Sequence, residues 1–172
     1  MIELWGPRVL LRALRPDEVD LIWQRQTGLV VGGRPSRDRI EAKVARSGRL
    51  VNGRIDLGIE VDARLVGELD ARRPEGALPP GVWELGIGLF DEADRGQGVG
   101  GEAIGLLVDH LFDEHDAGRV QGSTDVSNTA MRRVFERLGF REEGILRDFM
   151  PDGDGRADYA VYGMTRSDRV GR

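Results

Sequence analysis

The stretch from Trp83 to Ala103, WELGIGLFDEADRGQGVGGEA, holds a strand, a glycine-rich turn and a helix start in succession. From Trp83 to Phe90 the residues alternate, with Trp83, Leu85, Ile87 and Leu89 on one face and Glu84, Gly86, Gly88 and Phe90 on the other. That is the period of a β-strand. Two glycines weaken a strand interior, so on one face they predict a backbone or an extended ligand lying close against it. A short polar link, Asp91 to Asp94, then leads into Arg95-Gly96-Gln97-Gly98-Val99-Gly100-Gly101 and an apolar helix. Glycines let backbone N–H groups face inward without side chains in the way. Joined to the free donors and positive end of a helix, they predict a pocket for phosphate oxygens.

Two common phosphate motifs fit poorly. Gly96, Gly98 and Gly101 satisfy the dinucleotide fingerprint G-x-G-x-x-G, and Asp125 ends a later predicted strand at a suitable offset. That turn follows its strand almost directly, whereas here Asp91 to Arg95 intervene, and too little chain follows for a doubly wound sheet. A Walker A loop needs Lys-Ser or Lys-Thr after its glycines, and neither is present.

The same residues resemble the pyrophosphate loop of the GNAT superfamily of acyl-CoA-dependent N-acetyltransferases, Q/R-x-x-G-x-G/A, filled here by Arg95, Gly98 and Gly100. ELGIGLFDEADRG is similar to the fourth strand and loop of the branch holding RimJ/RimL-type and spermidine acetyltransferases. Asn128 to Met131, then RVFERLGF from Arg133 to Phe140 and REEGILR from Arg141 to Arg147, resemble the helix and strand that follow, and Val9 to Arg15 resembles the opening strand. The resemblance covers most of the chain. It implies an α+β fold in one domain over residues 1–172: a mixed, mostly antiparallel central sheet flanked by helices on both faces. The cosubstrate implied is acetyl-CoA, held by Leu89, Phe90, Arg95, Gly96, Gln97, Gly98, Val99, Gly100 and Asn128. The implied acceptor is a small-molecule or peptide amine, a protein N-terminus before a polyamine or antibiotic amine, and homodimers are frequent in the family.

Amines are mostly protonated at neutral pH, so an acceptor must lose a proton before it attacks a thioester. Glu84 is the first candidate base, on the same face as Gly86 and Gly88 and roughly 20 Å along the strand from Phe90, a span comparable with an extended pantetheine arm. Glu68, Asp70 and Asp125 are the alternatives, and N–H groups around Ile87 are candidates to stabilise the oxyanion. Many family members carry a tyrosine seven residues after the asparagine, able to protonate the departing thiolate, or in the RimL type a serine three residues after it. Here those places hold Phe135 and Met131, which donate no proton. Water, Tyr159 or Tyr162 is left for that role. The same gap leaves open a non-catalytic acyl-CoA-binding or regulatory module.

The 172 residues suffice for one domain with a real core. The chain has no cysteine, which excludes an acyl-cysteine intermediate and fits a reducing compartment. With no signal-peptide pattern and no membrane-length apolar run, the cytoplasm is the expected location. A formal charge of −5 argues against a broad nucleic-acid surface.

Further elements are predicted at Val9 to Leu14 (strand), Pro16 to about Gly28 (helix), Arg37 to Arg46 (helix, closed by Gly48), and Ile55 to Val61 with Leu65 to Asp70 (a hairpin around Asp62-Ala63-Arg64). A loop then carries Pro74, Gly76, Pro79, Pro80 and Gly81. After the glycine loop follow a helix with an Ala103, Ile104, Leu107, Val108, Leu111 stripe, a strand Arg119 to Asp125, and a helix Asn128 to Leu138 with Ala130, Val134 and Leu138 on one side. Strands Phe140 to Arg147 and Asp158 to Thr165 around an Asp152–Gly155 turn close the chain. His110 and His115, five apart, are expected on different helix faces rather than at a metal. Core or interface packing is expected for Trp5, Trp23 and Trp83.

Overall fold

A computed structural model describes residues 1–25, 35–73 and 78–170. The expected stop near Gly28, the break at Gly32 and Gly33, and Pro74 and Gly76 lie outside them. The chain divides into two compact units, Met1–Ala71 with Ile87–Leu106, and Arg72–Gly86 with Leu107–Arg172.

In the first unit, β1 (Leu4–Trp5) pairs with β2 (Leu10–Arg12), and β2 with β4 (Arg54–Val61), both antiparallel; β3 (Leu50–Val51) also pairs with β4, which is followed by β5 (Arg64–Arg72). The expected Val9 to Leu14 strand is thus shorter and is preceded by a two-residue partner. Between β4 and β5, Asp62 and Ala63 both have positive φ, 49° and 58°, as a two-residue hairpin turn twisting with its strands requires. The Asn52-Gly53 turn before β4 also has positive φ at both residues, as its Asn-Gly pair favours in a hairpin. Ile55, Leu57 and Ile59 are fully buried. A 3-10 turn at Pro16–Glu18 leads into α1 (Val19–Arg25), and α2 is Arg37–Arg46, capped by Ser36, whose hydroxyl accepts from the Arg39 N–H. Leu14, Val19, Ile22, Ile40, Val44 and Leu65 form the core beneath these helices.

A buried ion group that no sequence pattern announced fixes the end of β2. Arg12, 4% exposed, donates to both Glu18 oxygens at 2.5 and 3.0 Å and to Glu60 Oε2 at 2.6 Å. Burial alone depresses a guanidinium, but hydrogen bonds and charge from Glu18 and Glu60 outweigh it and the Arg12 pKa is raised.

In the second unit the start of β6 (Val82–Leu89) pairs in parallel with β7 (Arg119–Asp125) over Val82 to Glu84; β7 pairs antiparallel with β9 (Gly155–Thr165), and β9 with the outer strand β8 (Arg141–Asp152). Residues Ile87 to Leu89 of β6 belong to the first unit. The sheet is therefore mixed and mostly antiparallel, as expected. β8 and β9 extend further than predicted, up to a two-residue turn at Gly153-Asp154, because bulges between Glu142 and Gly144 and between Leu146 and Met150 absorb the irregular pattern. The chain ends in α5 (Arg166–Val170), where the sequence reading placed no helix.

Helix α3 (Val99–Glu114) runs through both units and buries the expected stripe completely: Ala103, Ile104, Leu107, Val108 and Leu111 are at most 1% exposed. In α4 (Thr129–Arg137) the inward position differs from expectation. Ala130 is exposed, and Phe135 is the buried residue, stacked on Tyr162 at 5.0 Å and edge-on to Phe140 at 5.1 Å. Its ring tip lies against the backbone of Gly122 on β7, where an added Cβ would meet it at 2.8 Å. Of the tryptophans, Trp83 is in the core, whereas Trp5 is 72% exposed and is not a core residue.

The two histidines meet after all. Helix α3 stops at Glu114, so His115 leaves the helical spacing that would have separated it from His110, and their Nε2 atoms lie 3.2 Å apart with the His115 ring 5.7 Å from Trp83. Among the described residues no third ligand joins them in a metal-binding cluster. Burial lowers both pKa values below the usual 6.5; for His115 the neighbouring His110 and Arg73 add to this, while Glu114 opposes it for both. Between the folded and unfolded values the unfolded chain binds more protons, so stability rises with pH there and declines as pH falls through about 6.5. The denaturant midpoint should fall between pH 7.5 and 5.5 more steeply in the wild type than in the H110Q/H115Q double variant; equal slopes would show the pair is not linked to folding.

Candidate active site

The end of β6 and the start of α3 build the site, all within the first unit. Alternation holds where β6 begins, with Trp83 and Leu85 buried, but Gly88 is exposed and nothing lies within 4 Å of where its Cβ would be. The close backbone approach expected of a glycine occurs on the neighbouring strand instead: a Cβ at Gly67 of β5 would press on the Gly88 carbonyl and lie 3.1 Å from the Leu89 Cα. Gly88 therefore offers open strand backbone, as an extended ligand needs.

Phe90 ends the strand, its N–H donating to the Val66 carbonyl at 2.9 Å and its ring packing on the core under α1 and α2. Its half-buried side chain is thus an anchor for the loop. The polar link is tied down at two points that the sequence reading did not foresee. Asp91 pairs with Arg25 of α1, and Asp94 takes two hydrogen bonds from Arg64 of β5, at 2.6 and 3.1 Å. Hydrogen bonding from Arg64 holds the Asp94 carboxyl below its usual range.

From there Arg95, Gly96, Gln97 and Gly98 form the exposed turn into α3, and Val99, 5% exposed, pins the helix start. Gly96 and Gly98 have φ of 71° and 84°, values that L side chains rarely adopt. The Glu102 N–H donates to the Gly98 carbonyl at 3.0 Å, so Gly98 is the residue from which the helical ladder begins, and the N–H groups of Val99, Gly100 and Gly101 precede any intrahelical acceptor. Nothing lies within 4 Å of a Gly96 Cβ, and a Gly100 Cβ meets only Ile87 Cδ1, at 3.7 Å. Open donors at the positive end of a 16-residue helix make an anion cradle.

In the second unit, Glu84 is half-buried and paired with Arg72. Asn128 caps α4, its Oδ1 accepting from the Met131 N–H at 3.1 Å, which leaves the Nδ2 donors for other partners. The alternative bases are committed elsewhere. Lys43 lies 2.5 Å from Glu68, and Arg54 lies 3.3 Å from Asp70. Asp125 accepts from the Ser127 hydroxyl and N–H at 2.6 and 2.7 Å, which lower its pKa. Tyr162 is no ready acid either: it is fully buried, donates to Glu142 at 2.8 Å and accepts from Arg132 at 3.2 Å. Tyr159, opposite Asp125 in the β7–β9 register, has its pKa raised by burial and by the charges of Asp125 and Asp152.

The acetyltransferase (GNAT) domain model matches residues 8–141, well over half of the chain. The protein belongs to the GNAT acetyltransferase family. The chain is 40% identical over 62 residues to "Probable N-acetyltransferase YjcK" of Bacillus subtilis, a match spanning 36% of this chain and 34% of that protein. It is 31% identical over 94 residues to "Kanamycin resistance protein" of Rhizobium radiobacter, spanning 52% of this chain and 83% of that one. Its fold superposes on a structure titled RimL, ribosomal L7/L12 alpha-N-protein acetyltransferase in complex with coenzyme A, with a TM-score of 0.76 at 18% identity, covering 95% of this chain and 98% of that one. The GNAT chain described here carries the acetyltransferase domain of that family, and its match spans about a third of the length of the B. subtilis relative. No described helix is long and apolar enough to cross a membrane.

A β-branched side chain at Gly98 would be strained at its positive φ and would strike Arg8 Nη2, 2.9 Å from the Cβ position. Acetyl-CoA binding measured by calorimetry should be lost in Gly98→Ile. Affinity equal to wild type would mean that the glycine turn does not hold the cofactor.

Proposed function

We propose that this GNAT protein transfers the acetyl group of acetyl-CoA to the primary amine of a protein or peptide N-terminus by direct attack, in the cytoplasm. The observation that carries the reading is the continuity of open strand backbone at Gly88, anchored link at Asp91 and Asp94, and glycine turn at the head of α3. Bound acetyl-CoA supplies an activated thioester. The diphosphate lies on the N–H groups between Gly96 and Gly100, and the arm runs beside Leu89 and Gly88. Likeness in fold to the RimL structure along 98% of its length supports a peptide acceptor.

Glu84 is the base in this reading. Paired with Arg72, it stands at the amine's end of the strand and takes up, through solvent, the proton that the ammonium must lose. With Tyr162 committed, the proton for the thiolate comes from Tyr159 or solvent, and a thiolate close to its own pKa needs little help.

The kanamycin-resistance relative favours a second reading, in which the amine belongs to an aminoglycoside. Thiol release from acetyl-CoA, measured with N-terminal peptides, polyamines and aminoglycosides, separates the two. Peptide-dependent release that drops at least a hundredfold in Glu84→Gln supports the reading; release untouched by that change discards Glu84 as base, and release with aminoglycosides alone selects the second reading.

Phe135→Tyr restores a phenol where many relatives have one, on a ring whose tip is packed against the Gly122 backbone. Its turnover should stay within about tenfold of wild type, or ~1.4 kcal/mol of barrier. A hundredfold gain in single-turnover rate would show that the absent acid limits the reaction.

A further inference from the structure

We propose that Arg8, at the tip of the β1–β2 hairpin, binds the diphosphate of acetyl-CoA from the side opposite the helix donors, the pinning of its guanidinium over Gly98 by Glu102 being the feature that carries the assignment. This rests on the glycine turn being the phosphate cradle.

The hairpin closes between Gly6 and Val9, whose N–H and carbonyl bond at 2.9 Å, and this leaves the Arg8 and Val9 N–H groups pointing out of the turn. Both are taken by one atom, Glu102 Oε1 in the first turn of α3, at 2.8 and 2.9 Å. A carboxylate accepting two backbone donors fixes the hairpin tip on the helix whatever side chain residue 8 carries. The other oxygen, Oε2, lies 3.5 Å from Arg8 Nε and turns the guanidinium edge outward. Its Nη2 then lies 2.9 Å from the place a Gly98 Cβ would occupy. Glycine at 98 thus serves two needs, the left-handed turn and the space for this side chain.

Charge around the turn shows why residue 8 matters. Asp91 and Asp94 are neutralised by Arg25 and Arg64, and Arg95 leans toward Glu92 at 3.9 Å. Arg8 is 54% exposed, and its carboxylate partner Glu102, 16% exposed, is already engaged by two backbone donors. A guanidinium presents five donors in a planar fork, so contact with Glu102 through Nε leaves both terminal nitrogens for phosphate oxygens. The helix N–H groups and the fork would then grip the diphosphate from two directions, and no part of the arrangement depends on the acceptor.

The test compares Arg8→Gln and Arg8→Lys with wild type using three donors: acetyl-CoA, its 3′-dephospho form, and S-acetylpantetheine, which has no phosphate. Losing a charge-assisted contact should raise the Kd and KM of the first two about tenfold in Arg8→Gln, flatten their salt dependence, and recover in part in Arg8→Lys. The loss should vanish with S-acetylpantetheine, and the melting temperature without ligand should hold, because Glu102 keeps its backbone partners. An equal loss with the phosphate-free donor, or none with acetyl-CoA, overturns the assignment; a loss confined to the donor bearing the 3′-phosphate overturns the diphosphate as target. Gly98→Ile separates the premise from the proposal: unchanged acetyl-CoA binding there rejects the cradle itself, whereas lost binding there beside an unaffected Arg8→Gln rejects only the role of Arg8.

Discussion

Burial of one face of α3 is the constraint on which the rest depends. Each fully buried Leu, Ile, Val or Phe is worth about 1.5–3 kcal/mol, and Ile104, Leu107, Val108, Leu111 and Phe112 stand on one helix at no more than 1% exposure. That helix is held in rotation and in height by its apolar stripe, so its first turn is held too. The N–H groups of Val99, Gly100 and Gly101 are therefore placed by side chains further along the same helix. Val99 at the helix start and Phe90 at the strand end carry the same logic to both sides of the glycine turn.

Much of this was legible beforehand because it rests on periodicity and on glycine. The stripe of α3, the strand from Trp83, the turn at Asp62-Ala63 and the cap at Asn128 all follow from local rules that neighbours did not override. The illegible parts are those in which charged residues act at long range. Nothing near Arg12 in sequence says that it will be buried between Glu18 and Glu60, and nothing near Asp94 points to Arg64, thirty residues earlier. The histidine pair failed for a related reason: spacing arguments hold only inside a helix, and α3 ends one residue too soon for His115. In α4 the sequence reading favoured aliphatic positions and missed Phe135, whose partners Gly122, Tyr162 and Phe140 come from three other elements.

Family membership and local chemistry divide the reaction unevenly. The thioester side has a dense set of structural commitments, while the acid–base side has few groups left uncommitted. Glu68, Asp70, Asp125 and Tyr162 all have partners that hold them in structural roles. Phe135 is a packing residue, and Tyr162, stacked on it, is drawn into an Arg132–Glu142 network rather than freed.

The ion pairs at Asp91 and Asp94 fix a segment that would otherwise be a free glycine-rich linker. Backbone ordering costs roughly 1–2 kcal/mol per residue, and a turn already ordered in the folded chain spares the cofactor that expense on arrival. An anion arriving at such a turn meets donors whose placement is already settled. A chain so arranged can exchange one acceptor for another over evolutionary time by altering loops remote from the glycine turn, without having to rebuild its hold on the donor.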